Sequence, residues 1–174
     1  MIPVNSDIYL EILSESHASL IFATIDSQRE YLRKWLPFVD ASKKVEDTLS
    51  FIQTTANSPE KDTTYVIFYQ KKFAGLAGLK ATDYANKRTE LGYWLSETLQ
   101  GKGIITSVCK KIIEIAFTKM EMNRIQIRMS VGNEKSCAVA KRLGFTYEGV
   151  ERDGELLLSG FTDIQVYSLL KREI

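Results

Sequence analysis

The chain has 174 residues, with 23 basic and 22 acidic side chains and a net charge of +1. This length fits a single domain spanning 1–174. A composition of 44% hydrophobic and 26% charged residues excludes disordered and collagen-like chains. The balanced charge gives no sign of binding to nucleic acid or to an anionic membrane. No long apolar run and no signal-peptide pattern is present, so we expect a cytoplasmic protein.

The cysteine and histidine counts limit the kinds of site that the chain can form. Cys109 and Cys137 fit a reducing compartment better than a disulfide framework. The single histidine, His17, and two cysteines cannot form a zinc site of the usual kind, so no metal is expected. No nucleophile motif lies near His17, which favours a helix-surface or capping role for it.

The N-terminal part of the chain predicts a strand followed by helices. Asp7–Leu13 has the pattern of a strand, and Ser14 or Ser16 can cap the helix after it. The apolar positions of this helix at helical spacing are Leu20, Ile21 and Ile25. A second short helix is predicted at Tyr31–Leu36, and Pro37 ends it.

A third helix opens at Ser42 or Asp47 and stops at Asn57-Ser58-Pro59. Its apolar face carries Leu49, Ile52 and Ala56. The next segments, Thr63–Tyr69, Phe73–Lys80 and Thr89–Leu95, are rich in β-forming residues and closely spaced. They predict an antiparallel meander, with a hairpin turn at Gln70–Lys72.

The C-terminal part alternates helices and strands. A strongly amphipathic helix is predicted at Ile105–Thr118 and a strand at Arg124–Val131. Asn133 opens another helix, which Gly144 ends. The last strands are predicted at Phe145–Gly149 and Leu156–Leu170. The element order predicts a mixed α/β (α+β) domain with one central sheet and not an alternating Rossmann pattern.

Two segments stand out as candidate binding motifs. Gln100-Gly101-Lys102-Gly103 joins a strand to a helix, which is a geometry suited to a pyrophosphate because converging amides meet a helix N-terminus. The loop is not a Walker A motif, and an ordinary glycine turn is the alternative interpretation. In the second segment Asn133 is a good N-cap, and Ser136 lies one turn later on the same side of the helix. The alternative interpretation of Ser136 is a polar residue of the first helical turn without a function in binding.

Together these segments resemble the GNAT acetyltransferases. A loop of type [QR]-x-x-G-x-[GA] opens a helix, and N-x-x-[AS] follows after a strand and precedes a Gly-Phe pair at Gly144-Phe145. Further phrases are similar to the RimJ/RimL branch, the ribosomal-protein N-acetyltransferases: Trp35–Pro37, Glu90–Leu95, Gly101–Thr106, Asn133–Ser136 and Asp163–Lys171.

The resemblance implies a fold and a reaction. The fold is the GNAT fold, a mostly antiparallel mixed sheet that is splayed at the cofactor cleft and has helices on both faces. The reaction is direct acetyl transfer from acetyl-CoA to a primary amine, without a covalent enzyme intermediate. In the RimJ/RimL branch the acceptor is the N-terminal α-amine of a ribosomal protein, and homo-oligomers are common.

The resemblance also implies roles for individual residues. Trp94 and Leu95 would pair with the pantetheine arm, and the Leu95 amide would polarise the thioester carbonyl. Asn133 would bind the pantetheine, and Ser136 would lie near the sulfur. The pyrophosphate would be held by the motif that Gln100 opens, through the amides of Gly101, Lys102, Gly103, Ile104, Ile105 and Thr106.

Two positions depart from the family pattern. Ile105 stands where the family usually has Gly or Ala, although a backbone amide is still present there. Ala140 stands where many GNAT enzymes have the Tyr that protonates the leaving thiolate. In the RimL branch the counterpart of Ser136 is thought to take that role, which we adopt as a hypothesis.

The general base has two candidates. Glu155 aligns with the glutamate proposed as base in RimL-like enzymes, and Glu90 lies on the strand beside the cofactor loop. A solvated surface carboxylate is the alternative interpretation of Glu155. Tyr31, Trp35 and Phe38 either line the acceptor groove, as in the family, or fill a small satellite core.

Three other functions remain open from the sequence. A small-molecule amine, such as a polyamine, an aminoglycoside or an amino acid, could be the acceptor. The missing Tyr at position 140 also fits a catalytically silent CoA-binding module. An ATP-binding protein is disfavoured because the P-loop Lys-Ser/Thr pair is missing.

Overall fold

The computed structural model describes residues 1–56 and 62–174. The strands are β1 (Ile2–Pro3), β2 (Ile8–Ile12), β3 (Thr63–Tyr69), β4 (Lys72–Asp83), β5 (Arg88–Leu95), β6 (Arg124–Ser130), β7 (Thr146–Leu157) and β8 (Gly160–Leu170). The helices are α1 (Ala18–Ser27), α2 (Arg29–Leu32), α3 (Val45–Ala56), α4 (Ile104–Thr118) and α5 (Glu134–Arg142). The eight strands form one sheet in the order β1-β2-β3-β4-β5-β6-β8-β7.

The predicted meander is confirmed: β3, β4 and β5 pair antiparallel in chain order. The β3–β4 hairpin turns through Gln70 and Lys71, whose φ angles are 48° and 64°. Two central residues with positive φ are the mark of the hairpin turn whose twist matches that of the flanking strands. The predicted hairpin at Gln70–Lys72 is therefore correct.

The sheet carries a hydrophobic core on each face. One core contains Leu95 of β5 together with the buried stripes of α4 and α5, and the other contains Trp94 together with α1, α2 and α3. Neighbouring residues of a strand point to opposite faces, so the alternation of Trp94 and Leu95 separates the two cores. Helices therefore cover both faces, as expected for the fold class.

Between β5 and β6 the sheet splits open. These two strands are the parallel pair, and they are joined only from Arg88 opposite Arg124 to Glu90 opposite Gln126. Beyond Glu90, β5 stays paired with β4 and β6 stays paired with β8. The strands diverge from this point, which leaves a gap between Leu91–Leu95 and Ile127–Ser130.

Several boundaries differ from the sequence prediction. The helix predicted at Tyr31–Leu36 is instead Arg29–Leu32. The following turns are held by the Arg29 guanidinium, which donates to the carbonyl oxygens of Val39 at 2.8 Å and Ser42 at 2.5 Å. Such long-range contacts are invisible to local periodicity.

On two helices the buried face differs from the prediction. Leu20 of α1 is exposed, and in α3 Thr48 is buried whereas Ala56 is exposed. The predicted helix stop at Asn57–Pro59 lies outside the described residues. None of the described helices is long and apolar enough to cross a membrane.

The segment predicted as separate final strands is one long hairpin. β7 runs unbroken over Thr146–Leu157 and pairs with β8. Its register shifts twice, once between Tyr147 and Gly149 and once between Glu151 and Glu155. These irregularities obscure the alternation of polar and apolar residues that the prediction used.

Candidate active site

A cavity of about 1100 Å³ lies at the split in the sheet. It extends from the glycine loop, between β5 and β6, to the helices α2 and α3. All of the site residues expected from the sequence line it: Glu90, Trp94, Leu95, Gln100, Gly101, Lys102, Gly103, Ile104, Ile105, Thr106, Asn133, Ser136 and Glu155. Residues from distant parts of the chain thus share one cleft.

The glycine loop forms one end of the cavity. Gly101 and Gly103 have φ angles of 74° and 72°, a left-handed conformation that residues with a Cβ rarely adopt. Gly103 is the N-cap of α4, so the free amides and the positive end of a 15-residue helix face the cavity. The side chain of Ile105 is buried in the core, and its bulk therefore does not occupy the loop.

Basic side chains lie around this loop. The Nε of Arg142 donates to the Thr106 hydroxyl at 3.4 Å, and Lys135 donates to the Gln100 side-chain oxygen. Lys102 Nζ lies 5.6 Å above the ring of Tyr69. Lys135 and Arg142 were missed in the sequence, although both line the cavity from one face of α5, seven residues apart.

The Leu95 amide points into the split. The next amide, that of Ser96, donates to the Ala74 carbonyl at 2.8 Å, on the β4 side of the strand. Successive amides of a strand alternate in direction, so the Leu95 N–H is directed toward β6, where pairing has already ended. An amide left free at a sheet edge can donate to an extended ligand or to a polarised carbonyl.

Asn133 and Ser136 lie at the start of α5. The Asn133 side-chain oxygen accepts from the Ser136 amide at 3.2 Å, which confirms the predicted N-cap. The hydroxyl of Ser136 lies 2.8 Å from that of Tyr93 on β5. The Tyr93 hydroxyl reaches the cavity wall while its ring packs on the core.

A bulge in β7 carries Glu155 into the cavity. The register shift skips Arg152–Gly154, and Asp153 there has a φ angle of 50°. The Asp153 amide donates to the Asp163 carboxylate at 2.9 Å, which holds the bulge against β8. Glu155 then lies half-buried, and the Ser130 hydroxyl is 3.5 Å from its Oε2.

Glu90 occupies the point where β5 and β6 diverge, and its carboxylate is already engaged. Lys80 Nζ lies 3.0 Å from it and Nη1 of Arg128 lies 3.8 Å away. Arg128 also forms an ion pair with Glu151. Glu90 is buried, whereas its partner Lys80 reaches solvent. This environment suits a structural ion pair better than a mobile proton acceptor.

Aromatic side chains line the other end of the cavity. Tyr31, Trp35 and Phe38 all contribute to its wall. Phe38 stacks on Phe51 of α3 with ring centroids 6.4 Å apart, and both rings are exposed. An exposed stacked pair is typical of a groove wall rather than of a satellite core.

The residue types that commonly bind metals do not form a cluster in the described part of the chain. Across residues 1–56 and 62–174, no three His, Cys, Asp or Glu side chains are placed to hold a metal ion together. His17 is buried and caps the turn before α1: its Nδ1 accepts from the Ser14 amide at 3.1 Å. The predicted capping role is therefore confirmed.

Known proteins are similar to this chain in both sequence and fold. The model of the acetyltransferase (GNAT) domain family matches residues 7–146. YdaF of Bacillus subtilis (strain 168) is 35% identical over 98% of this chain and 94% of its own length. The ribosomal-protein-serine acetyltransferase of Escherichia coli (strain K12) is 27% identical over 96% of this chain and 94% of its own length.

A solved structure gives the same result. RimL, described as a ribosomal L7/L12 alpha-N-protein acetyltransferase in complex with coenzyme A, superposes with a TM-score of 0.94 at 27% identity and covers 99% of both chains. The split sheet, the glycine loop and the sequence matches all indicate the same family. The chain belongs to the GNAT acetyltransferase family.

Proposed function

We propose that this protein transfers the acetyl group of acetyl-CoA to the N-terminal α-amine of a ribosomal protein of the L7/L12 type. The observation that carries the proposal is the split between β5 and β6, which has an anion-binding loop at one end and Glu155 toward the other. The relatives named for ribosomal-protein acetylation align along nearly the whole chain, which supports this acceptor.

The residues of the cleft fit acetyl-CoA. The amides from Gly101 to Thr106 would hold the pyrophosphate, and Arg142, beside Thr106, would add a positive charge. The free edge of β5 at Trp94 and Leu95 would pair with the amide-containing pantetheine arm, and Asn133 would contact the same arm. Acetyl-CoA supplies an activated acyl group on a thiol leaving group.

The reaction needs a base, a hydrogen-bond donor to the oxyanion and a group that stabilises the departing sulfur. Glu155 would accept the ammonium proton, directly or through water, because its carboxylate is half-buried and Arg128, the nearby cation, pairs with Glu90 and Glu151. The Leu95 amide would donate to the oxygen that becomes negative in the tetrahedral intermediate. Ser136 would donate to the sulfur, since Ala140 carries no hydroxyl.

An extended peptide fits the acceptor end of the cavity. The exposed pair Phe38 and Phe51 offers apolar surface for the residues behind the N-terminus. We treat 1–174 as one domain because a single sheet runs through the described chain. The free buried thiols Cys109 and Cys137 fit the reducing cytoplasm as the site of action.

The test is an assay of CoA release with three acceptors. One is a peptide carrying the N-terminus of L7/L12 with its serine amine free, the second is the same peptide already acetylated, and the third is spermidine. The proposal expects turnover with the first peptide only, and mass spectrometry should place the acetyl group on the α-amine. Turnover with spermidine alone would support a small-amine enzyme, and binding of acetyl-CoA without any turnover would support a silent module.

A further inference from the structure

The hydroxyl pair Tyr93–Ser136 joins β5 to α5 across the edge of the cleft. The two oxygens are 2.8 Å apart, the distance of a well-formed hydrogen bond between two hydroxyls. The Ser136 carbonyl is a second acceptor for Tyr93, but it is farther away at 3.4 Å. Both residues line the cavity, so the hydroxyl pair is within reach of a ligand bound there.

We propose that Tyr93 is a positioning residue that donates its hydrogen bond to Ser136 Oγ and so directs the Ser136 hydroxyl proton at the leaving sulfur. The proposal rests on the proposed function, because it assumes that Ser136 faces that sulfur. Nothing in the motif that identified Ser136 includes Tyr93, which lies 43 positions earlier in the chain.

The surroundings of Tyr93 keep its hydroxyl protonated, which the proposed direction of this hydrogen bond requires. Burial raises the pKa of Tyr93 well above its ordinary value, and the nearby thiols of Cys109 and Cys137 act in the same direction. The Ser136 hydrogen bond and the charge of Arg142 oppose the rise without cancelling it. The phenol therefore keeps its proton and can donate it to Ser136 Oγ.

The consequence for Ser136 is both geometric and electronic. A serine hydroxyl has one proton, and it can point into the cleft only when it is not donated to Tyr93. A donor behind the oxygen also strengthens the bond that the hydroxyl makes in front, because hydrogen bonds in a chain polarise one another. Ser136, held in this way by Tyr93, would stabilise the leaving sulfur in place of the Tyr that is absent at position 140.

The proton balance requires no tyrosinate. When the C–S bond breaks, its electron pair goes to sulfur, and the new C–N bond has already formed. The amine proton leaves to Glu155 or to water, and the thiolate is stabilised by the Ser136 hydrogen bond. Tyr93 keeps its proton throughout, so its buried ring never carries charge.

The experiment measures the pKa of the thiol of bound CoA, read from the ultraviolet absorbance of the thiolate as pH is raised. The proteins are the wild type, Tyr93→Phe, Ser136→Ala and the double variant. Tyr65→Phe is the matched control, because Tyr65 is also a buried tyrosine of the sheet but does not line the cavity. Thermal unfolding of each variant confirms that it is folded.

We expect Tyr93→Phe and Ser136→Ala each to raise the thiol pKa by about one unit, and the double variant to add little more. Turnover should fall about tenfold in Tyr93→Phe with an unchanged KM for acetyl-CoA, as expected for the loss of one transition-state hydrogen bond. Tyr65→Phe should leave both quantities unchanged.

Two results would overturn the proposal. If Tyr93→Phe leaves the thiol pKa at the wild-type value while Ser136→Ala raises it, Tyr93 has no part in this hydrogen bond. If neither variant moves it, Ser136 does not face the sulfur either. The titration uses CoA without any acceptor, so it succeeds or fails independently of the ribosomal-protein assignment.

Discussion

The carboxylate of Glu90 lies 3.0 Å from the ammonium of Lys80, the residue opposite it on the neighbouring strand. This pair occupies the last position at which β5 is joined to both neighbours, because the β5–β6 pairing stops at Glu90. Glu90 therefore anchors the point where the sheet begins to open. Glu155, on the β7 bulge, faces the same cavity, and within the described residues its carboxylate forms no ion pair like that of Glu90 with Lys80.

Because Glu90 is ion-paired and, within the described residues, Glu155 is not, substitutions of the two candidate bases should have different effects. Glu155→Gln should lower turnover about a hundredfold and remove the acidic limb of the pH–rate profile, because general base catalysis typically contributes that much or more. Glu90→Gln should keep the acidic limb and lower Tm, since it removes the buried carboxylate with which Lys80 and Arg128 pair. A Glu90→Gln enzyme that loses the acidic limb would reverse the assignment.

The glycine loop predicts selective stabilisation by the cosubstrate. Acetyl-CoA at 100 times its dissociation constant should stabilise the protein by about 2.7 kcal/mol, which raises Tm, whereas ATP should give no shift. Gly103→Ala should cost about 1 kcal/mol without ligand, because Gly103 has a φ of 72°, and should also weaken the acetyl-CoA shift. A full acetyl-CoA shift in Gly103→Ala would place the anion site elsewhere.

The aromatic end of the cavity predicts an effect on the acceptor alone. Phe38→Ala should raise the KM for the acceptor peptide severalfold, because an aromatic contact is worth about 0.5–1.5 kcal/mol. The KM for acetyl-CoA should not change. Phe161→Ala is the matched control, since Phe161 is also an exposed phenylalanine, on β8, but does not line the cavity. Equal effects of the two substitutions would argue against an acceptor groove at Phe38.

A row of polar contacts across three strands predicts acid sensitivity. Arg124 of β6 donates to both oxygens of Glu148 of β7, at 2.7 and 2.5 Å, and Ser168 of β8 donates at 2.8 Å. The Arg124 hydrogen bond has the largest effect, and together with the Ser168 bond it lowers the pKa of Glu148 from 4.5 to about 2. A lowered pKa in the folded state stabilises the fold above pH 4.5, and this contribution disappears as the pH falls toward about 2.

The measurement is Tm against pH for the wild type and Glu148→Gln. The wild type should be the more stable protein at neutral pH, and the two curves should converge between pH 4.5 and about 2. Much of the Glu148 side chain is open to solvent, so the difference should shrink when salt is added. Parallel curves would show that the carboxylate contributes no pH-dependent stability.

The sequence by itself determined the elements whose signals are local. The meander, the amphipathic α4 and the Asn133 cap of α5 follow from periodicity and capping chemistry, and the structure confirms them. The two binding motifs were also readable, because a glycine loop before a helix and an asparagine at a helix start are short-range features. Their order along the chain carried the family resemblance.

Tertiary structure decided everything that depends on contacts between distant segments. It ended the β5–β6 pairing at Glu90, brought Tyr93 to Ser136 and used a bulge to place Glu155 in the cleft. It also showed that Glu90 is held by Lys80 and Arg128, which the sequence left open as a rival base. No local pattern contains these facts, because the partners lie on different strands and meet only when the sheet assembles.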